Sequence, residues 1–442
     1  METAQTETDP KPQIEIDRLS NLPEALLIVI LSFLPTRSAV RTSVLSRRFQ
    51  HLWKASPSVN LSFQKNTFKE SPSYVAMANS ALLCRQPSDP PLLRLRLDVP
   101  YQLPFDLPPE FICSLLDHAH SLGLRHLTLD GSGDHELILQ SVFSITSLQS
   151  LSLPISSREL VFPSTAIATT LTCLKSLSLD LKPSNSAQVE RLLSELCCLE
   201  HLQLGIVAGV LTVSSLTVKK LELLIFNTIN DTDSVVRLSM PSLEFLYLES
   251  QGITEHLPHI HGDIPLLRKS VIKLRNLRSN NVNAVIAQFL KFISHAEELS
   301  LDLKEHWYED YPFDILLEPG KEIPVFPNLK HLNARMCFHE HNFEAVISLL
   351  RQSPALQSVK LVHKVAGYFN RWPKKRRRKD WRSKLPRNAD GNYQYAYFTN
   401  LHLIENNEGF MKLLSKNSTP LELKARKAVT RTSCAAKLIS GF

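Results

Sequence analysis

Leucines recur along the chain in the short spacing L-x-x-L-x-L, in which most of the x positions are polar. Strong copies begin at Leu92, Leu124, Leu148, Leu174, Leu199, Val218 and Leu243, and weaker ones begin at Leu267, Ala296, Leu329 and Leu356. Alternating leucines point to one face of a β-strand, and such a face is buried only when neighbouring repeats stack on each other. The pattern therefore predicts a parallel sheet to which each repeat contributes one short strand.

The segments between these strands are expected to cover the leucine side of the sheet. Four of them space their apolar residues as an amphipathic helix does, at 108–119, 186–198, 281–296 and 341–353. The whole arrangement resembles a leucine-rich-repeat (LRR) solenoid, which we assign to residues 91–365. The resemblance implies an α/β fold, a parallel-sheet horseshoe with irregular helical returns.

A different pattern stands near the N-terminus, where Ala25 to Leu34 form an almost unbroken apolar run. A membrane span needs about 20 such residues, and the polar leader before the run has no cationic segment of the kind that signal peptides carry. The Asn21-Leu22-Pro23 start and Pro35 instead predict a helix that begins and ends at these residues. Because this helix is apolar on more than one face, it must be covered on more than one face.

Two further short helices are predicted at 39–46 and 47–53, and three helices in about 40 residues have too small a core to stand alone. The residues Leu22-Pro23, Ile30-Leu31, Leu34-Pro35 and Val44-Leu45-Ser46, with Trp53 after them, resemble the F-box family, which we assign to 16–60. The resemblance implies docking on a Skp-type adaptor and, through it, on a cullin-based ubiquitin ligase. It places these residues at or under the adaptor interface: Leu22, Pro23, Leu27, Ile30, Leu31, Leu34, Val44, Leu45 and Trp53.

An F-box followed by leucine-rich repeats resembles plant F-box/LRR proteins, many of which end in an FBD domain. We assign a disordered tail to 1–15, a connecting segment to 61–90 and a degenerate FBD-like segment to 396–442. The resemblance implies a non-catalytic receptor that recruits an unknown protein substrate, with or without a small-molecule co-ligand. The polar residues next to the ladder leucines are expected to face that substrate: Arg94, Arg96, His126, Gln149, Lys175, His201, Gln203, Glu222, Glu244 and Tyr247.

The net charge of +7 comes from one segment. Ten basic residues and one acidic residue lie between Arg371 and Arg387, and the rest of the chain is close to neutral. We interpret 366–395 as an exposed basic loop. Its six consecutive cations, Lys374, Lys375, Arg376, Arg377, Arg378 and Lys379, suit a nuclear-import signal or a solvated loop without a role. The alternative function is a non-catalytic LRR scaffold that binds nucleic acid or a nuclear partner through this loop.

The remaining chemistry-bearing residues exclude several classes of protein. The seven cysteines are scattered and form no CxxC pair, which indicates reduced, mostly buried thiols of a nuclear or cytoplasmic protein. We expect packing to explain Cys197 and Cys198. No nucleotide-binding glycine motif and no zinc-type Cys/His array occurs in the sequence. We therefore expect no enzyme activity, no cofactor, no metal and no membrane association.

Overall fold

Each of the eleven copies of the leucine phrase ends in a β-strand. This is seen in a computed structural model that describes residues 19, 21–62, 71–98, 108–130, 136–153, 170–181, 186–206, 210–226, 234–251, 258–275, 282–304, 323–336, 349–350 and 352–363. The chain divides into two units, 1–132 and 133–442. The α/β class and the parallel repeat sheet predicted from the sequence are confirmed.

The first unit opens with three short helices, as the sequence predicts. They are α1 (Glu24–Ser32), α2 (Thr36–Arg41) and α3 (Phe49–Leu52), with 3-10 turns at Thr42–Val44 and Trp53–Ala55. Pro23 and Pro35 stand immediately before α1 and α2, where a missing backbone N–H costs nothing. The helices enclose a small apolar core made of Leu27, Leu31, Ala39, Phe49 and Leu52.

The rest of the first unit alternates strands and helices: β1 (Ser58–Ser62), α4 (Ser71–Ala78) with a π-helical turn at Asn79–Leu83, β2 (Arg94–Asp98), α5 (Pro109–Ser121) and β3 (His126–Asp130). β2 pairs in parallel with β1 on one side and with β3 on the other. The sheet therefore begins at Ser58, ahead of the boundary expected at residue 91. The sequence did not indicate β1 because this strand, SVNLS, lacks the full leucine phrase.

The segment 61–90, expected to be a simple connection, is built into the first unit. The Tyr74 hydroxyl donates a hydrogen bond to the Leu61 carbonyl at 3.3 Å. The buried Arg85 donates from Nη1 to the Ser56 carbonyl at 2.8 Å and from Nε to the Ala81 carbonyl at 3.1 Å. Buried polar groups need such partners, and the bond from Arg85 to Ser56 ties the segment to a residue that precedes β1.

The second unit contains the remaining repeats, and its main sheet is parallel throughout. Its strands pair in the order β4 (Ser150–Leu153), β5 (Ser176–Leu181), β6 (His201–Ile206), β8 (Lys220–Phe226), β10 (Phe245–Gln251), β12 (Lys269–Arg275), β13 (Glu298–Lys304), β14 (His331–Met336) and β15 (Ser358–His363). Helices return the chain at α6 (Glu136–Ser144), α7 (Ser186–Glu195) and α8 (Val282–Phe292).

Three returns in the second unit are strands rather than the helices expected of the class. These are β7 (Val210–Ser214), β9 (Val235–Ser239) and β11 (His259–Asp263), which form a second parallel sheet with β9 in the middle. The repeats that hold them follow each other at intervals of 19, 25 and 24 residues along the sequence. A strand rises about 3.3 Å per residue, whereas a helix rises 1.5 Å. A strand therefore crosses the 19-residue repeat with few residues, whereas repeats of 24 and 25 residues accommodate either a strand or, as at α6 and α7, a helix.

The leucine ladder is the core of the repeats, as the spacing predicts. Leu151, Leu177, Leu202, Leu221 and Leu246 are almost fully buried, and all of them occupy one row of the sheet register. Neighbouring repeats share this core.

Several predicted segments lie outside the described residues: the tail 1–15, the basic loop 366–395, the FBD-like segment 396–442 and most of the helix expected at 341–353. Among the helices that are described, none has the length and apolar content needed to cross a membrane.

Candidate functional site

Exposed apolar side chains are concentrated on α1, on the turn after it and on the 3-10 turn that follows α2. They have 37 to 85% of their area exposed: Leu26, Val29, Ile30, Phe33, Leu34, Val44 and Leu45. We call this set the N-terminal apolar surface. In α1, Leu27 and Leu31 are buried, with 1% and 3% of their area exposed, and the members of this surface are the residues that remain exposed. A helix that is apolar on two faces can bury only one of them against its own domain.

The structure divides the nine residues predicted at or under the adaptor interface into three groups. Leu27 and Leu31 belong to the domain core, and Leu22 and Trp53 pack against it while partly exposed. Pro23, Ile30, Leu34, Val44 and Leu45 are exposed. The prediction therefore mixes residues that support the surface with residues that form it.

Three members of the N-terminal apolar surface were missed: Leu26, Val29 and Phe33. Their signal was present in the sequence, because Leu26, Val29, Ile30 and Phe33 follow the i, i+3, i+4, i+7 spacing of one helix face. Phe33 is 78% exposed, and aromatic side chains of this kind are frequent anchors of protein interfaces.

The start of α1 is fixed by Arg48. Its Nη2 donates a hydrogen bond of 2.5 Å to the Leu22 carbonyl, and its Nε lies 3.9 Å from a carboxylate oxygen of Glu24. These contacts orient the segment that presents Pro23 and Leu26.

A second candidate surface is the polar face of the main sheet in the second unit. His201 lies in one row of the register with Ser176 on one side and Lys220 on the other. Its Nδ1 is 3.3 Å from the Ser176 Oγ, and its Nε2 is 3.3 Å from a Glu222 carboxylate oxygen. Burial and the charge of Lys220 lower the pKa of His201, although Glu222 acts in the opposite direction.

Aromatic side chains interrupt this polar face on β10. Lys220 Nζ lies 5.5 Å from the centre of the Phe245 ring, and Lys273 Nζ lies 5.0 Å from the centre of the Tyr247 ring, which are cation–π distances. The Tyr247 hydroxyl also donates to Glu249. Tyr247 was predicted here and Phe245 was not. Gln203 lies in the same register row as Glu222 and Tyr247, as expected.

Gln149, Lys175 and Glu244 require a correction, because each comes one residue before a strand rather than on its face. They belong to an edge row whose charges alternate from one repeat to the next: Lys175, Glu200, Lys219, Glu244, Arg268, Glu297 and Lys330. Lys175 and Lys219 Nζ lie 3.8 and 3.7 Å from the Glu200 carboxylate, and Lys330 Nζ lies 2.9 Å from that of Glu297. Opposite charges in neighbouring repeats favour stacking in register.

The predicted residues of the first unit lie on β2 and β3. Arg94 pairs in register with His126, and Arg96 Nη2 lies 3.8 Å from an Asp130 carboxylate oxygen. Burial, followed by the charges of Arg94 and Arg125, lowers the pKa of His126. These cationic side chains form a small group on the polar face of this unit.

The thiols contradict the expectation of mostly buried cysteines. Cys84, Cys173, Cys197 and Cys198 are exposed, and Cys113 is partly exposed. The described part of the chain contains no group of three or more His, Cys, Asp or Glu side chains arranged to hold a metal ion.

Comparison with known proteins points to F-box and leucine-rich-repeat proteins. A model of the F-box domain matches residues 19–60. An F-box/FBD/LRR-repeat protein of Arabidopsis thaliana is 31% identical over 63% of this chain and 64% of its own length. A second one is 28% identical over 78% of this chain and 77% of its own length. F-box/LRR-repeat protein 13 of the same plant is 26% identical over 80% of this chain and 78% of its own length. The chain carries an F-box and is similar over most of its length to plant F-box/LRR-repeat proteins.

The N-terminal apolar surface is thus the exposed face of the F-box, and the sheets of both units carry the repeats. F-box/LRR proteins generally act as non-catalytic receptors rather than as enzymes.

Proposed function

We propose that this protein is the substrate-recognition subunit of a Skp–cullin–F-box ubiquitin ligase. The N-terminal apolar surface is the observation that carries the proposal. It combines seven large apolar side chains on a three-helix domain whose own core is already formed by other residues. Exposed apolar patches mark protein interfaces, and the F-box match supports a Skp-type adaptor as the class of partner.

Phe33, Val44 and Leu45 are the expected anchors of this interface, with 78, 85 and 66% of their area exposed. Binding energy at interfaces concentrates in a few large side chains that become fully desolvated. Leu27 and Leu31 contribute from beneath, because they hold α1 in place.

The polar face of the main sheet is proposed to recruit the protein substrate. Its chemistry is mixed: His201, Lys220 and Glu222 adjoin Phe245 and Tyr247. A surface with aromatic anchors and paired charges suits a folded protein or a peptide better than a uniform polyanion.

The mechanism is positioning. By holding a substrate on one surface and the adaptor on another, the protein raises the effective concentration of the substrate near a ubiquitin-loaded enzyme bound elsewhere in the assembly. No proton or group transfer is assigned to the side chains of this protein.

The test compares two substitutions of exposed leucines in the full-length chain. Leu45→Asp places a charge in the N-terminal apolar surface, where Leu45 is 66% exposed, and Leu216→Asp places one on a leucine of the second unit that is 78% exposed. Loss of a hot-spot contact costs about 2 kcal/mol or more, which is about 30-fold in Kd. We expect a loss of this size for recombinant Skp-type adaptor with Leu45→Asp and unchanged affinity with Leu216→Asp.

Circular dichroism of both variants should match that of the wild type, because neither leucine is part of a core. Equal adaptor affinity of the wild type and Leu45→Asp would overturn the proposal. The buried Leu31 is unsuitable for this test, since Leu31→Asp would disrupt the domain itself.

A further inference from the structure

Three exposed thiols stand in two successive turns of the second unit. Cys173 lies in the turn before β5, and Cys197 and Cys198 lie in the turn between α7 and β6. A buried leucine stands on each side of these cysteines: Leu171 and Leu174 in the first turn, and Leu196 and Leu199 in the second. Because these leucines take the inward positions, the cysteines between them are left in solvent.

Cys173 and Cys198 occupy the same place in neighbouring repeats. Ser176 of β5 pairs with His201 of β6, and each cysteine comes three residues before its member of this pair. The pairing extends back toward the cysteines, since the Glu200 backbone N–H donates to the Lys175 carbonyl at 2.9 Å. Paired strands lie about 4.7–4.9 Å apart, and disulfides join residues whose Cα atoms are about 4.4–6.8 Å apart.

The charges around these thiols agree with close approach. A hydrogen bond with Cys197, together with the charges of Cys197 and Cys173, raises the pKa of the Cys198 thiol, while the ammonium group of Lys175 acts in the opposite direction. The influence of Cys173 on Cys198 agrees with the proximity that the strand register implies.

We propose that Cys173 and Cys198 form a redox modification site, which a peroxide converts into a disulfide joining two successive repeats. In the first step the Cys173 thiol loses its proton, the thiolate attacks one peroxide oxygen and the O–O bond breaks; the leaving hydroxide takes up the released proton, so that a sulfenic acid and water form. In the second step the Cys198 sulfur attacks the Cys173 sulfur, the S–O bond breaks and a second water leaves. Two thiols lose two electrons and two protons in total, and hydrogen peroxide is reduced to two molecules of water.

Thiols of nuclear and cytoplasmic proteins are kept reduced, and disulfides that do form in these compartments are mostly transient and redox-sensing. The exposure of both residues gives oxidants and cellular reductants access to the site. The bridge would lie two residues before the Lys175–Glu200 ion pair, whose nitrogen and oxygen are 3.8 Å apart, and would fasten the same edge of the sheet covalently.

The test uses the full-length chain. The protein is treated with hydrogen peroxide, its remaining thiols are blocked with N-ethylmaleimide, and it is digested with trypsin without reduction. Trypsin separates the two cysteines, because cleavage after Arg158, Lys175, Arg191 and Lys219 yields fragments 159–175 and 192–219. We expect mass spectrometry to find these fragments linked after oxidation and separate after treatment with dithiothreitol.

Single substitutions assign the bond. Cys197→Ser should keep the linked fragments, as should Cys84→Ser, which removes an exposed thiol of the first unit. Cys173→Ser and Cys198→Ser should abolish them. The proposal is overturned by a bond between Cys197 and Cys198, by full linkage through Cys197 in the Cys198→Ser variant, or by sulfinic and sulfonic acids at Cys173 without linkage.

Discussion

The side-chain oxygen of Thr36 accepts a hydrogen bond of 2.7 Å from the backbone N–H of Asn60. Thr36 is the first residue of α2 in the F-box, and Asn60 lies in the middle of β1. β2 pairs with one edge of β1, and Thr36 satisfies a backbone donor away from that pairing. An open strand edge exposes such donors, so this single hydroxyl group joins the F-box to the first strand of the repeats.

Removal of the Thr36 hydroxyl should weaken the contact between α2 and β1. Thr36→Val keeps the shape of the side chain but removes the acceptor, and an unsatisfied donor of this kind costs about 1–3 kcal/mol. We expect faster amide hydrogen exchange at Asn60 and its neighbours in β1. Thr36→Ser retains the oxygen and should exchange nearly as slowly as the wild type. Equal protection in the Val and Ser variants would show that the bond contributes nothing.

The two faces of α1 should respond differently to truncation. Leu31→Ala leaves a cavity in the core formed with Leu27 and Phe49, and such changes cost about 2–5 kcal/mol. Ile30 is 41% exposed, and Ile30→Ala should change stability by about 0.5 kcal/mol or less, as most surface substitutions do. Local hydrogen exchange of α1 measures both effects. Similar losses from the two substitutions would mean that Ile30 also belongs to the core.

Gly262 on β11 should tolerate no side chain. Its φ of +142° is rarely adopted by L-residues, and a Cβ at this position would collide with the backbone of Leu238 in the neighbouring strand. Backbone cannot move aside as a flexible side chain does, and a disfavoured φ alone costs about 1–3 kcal/mol. Gly262→Ala should therefore lower the urea midpoint of the second unit. Asp263→Ala, at the exposed next residue, should leave the midpoint unchanged, and a tolerated Gly262→Ala would refute the clash.

Acidification should destabilise the second unit through His201. Its pKa in the folded state is lowered, chiefly by burial and then by Lys220, so the folded protein binds fewer protons than the unfolded chain in this range. The contribution to stability is then present above the unfolded pKa of about 6.5 and is lost as the pH falls toward the folded value. The urea midpoint of the wild type should drop more between pH 7 and pH 5 than that of His201→Gln. Parallel decreases in the two proteins would assign the pH dependence to other groups.

The strands of the main sheet were predictable because their signal is local and repeated. Leu177 and Leu202, for example, each stand in a full copy of the leucine phrase, and both are buried. β1 was missed because it lacks the full leucine phrase. Its place in the sheet is seen only from its pairing with β2. The return strands β7, β9 and β11 were missed because a short apolar run does not reveal whether neighbouring returns will pair.

The candidate site was predictable only at the level of the segment. The apolar run at 25–34 demanded a second cover, but the division into core Leu27 and Leu31 and exposed Leu26 and Phe33 depends on where α2 and α3 pack. The exposure of Cys173 and Cys198 was missed for a related reason. Cysteine is usually buried, and here the adjoining leucines occupy the inward positions of both turns.

The hydrogen bonds that Arg85 and Tyr74 donate to Ser56 and Leu61 bear on how this protein can be recombined with others. A chimera that exchanges the F-box as a cassette ending at residue 60 would cut through β1 and place the Ser56 carbonyl, which accepts from Arg85, on a foreign backbone. Exchange of the whole stretch from the F-box through Asp130 would transplant these bonds intact. Among relatives, the F-box and the first repeats are therefore expected to be inherited together as one cassette.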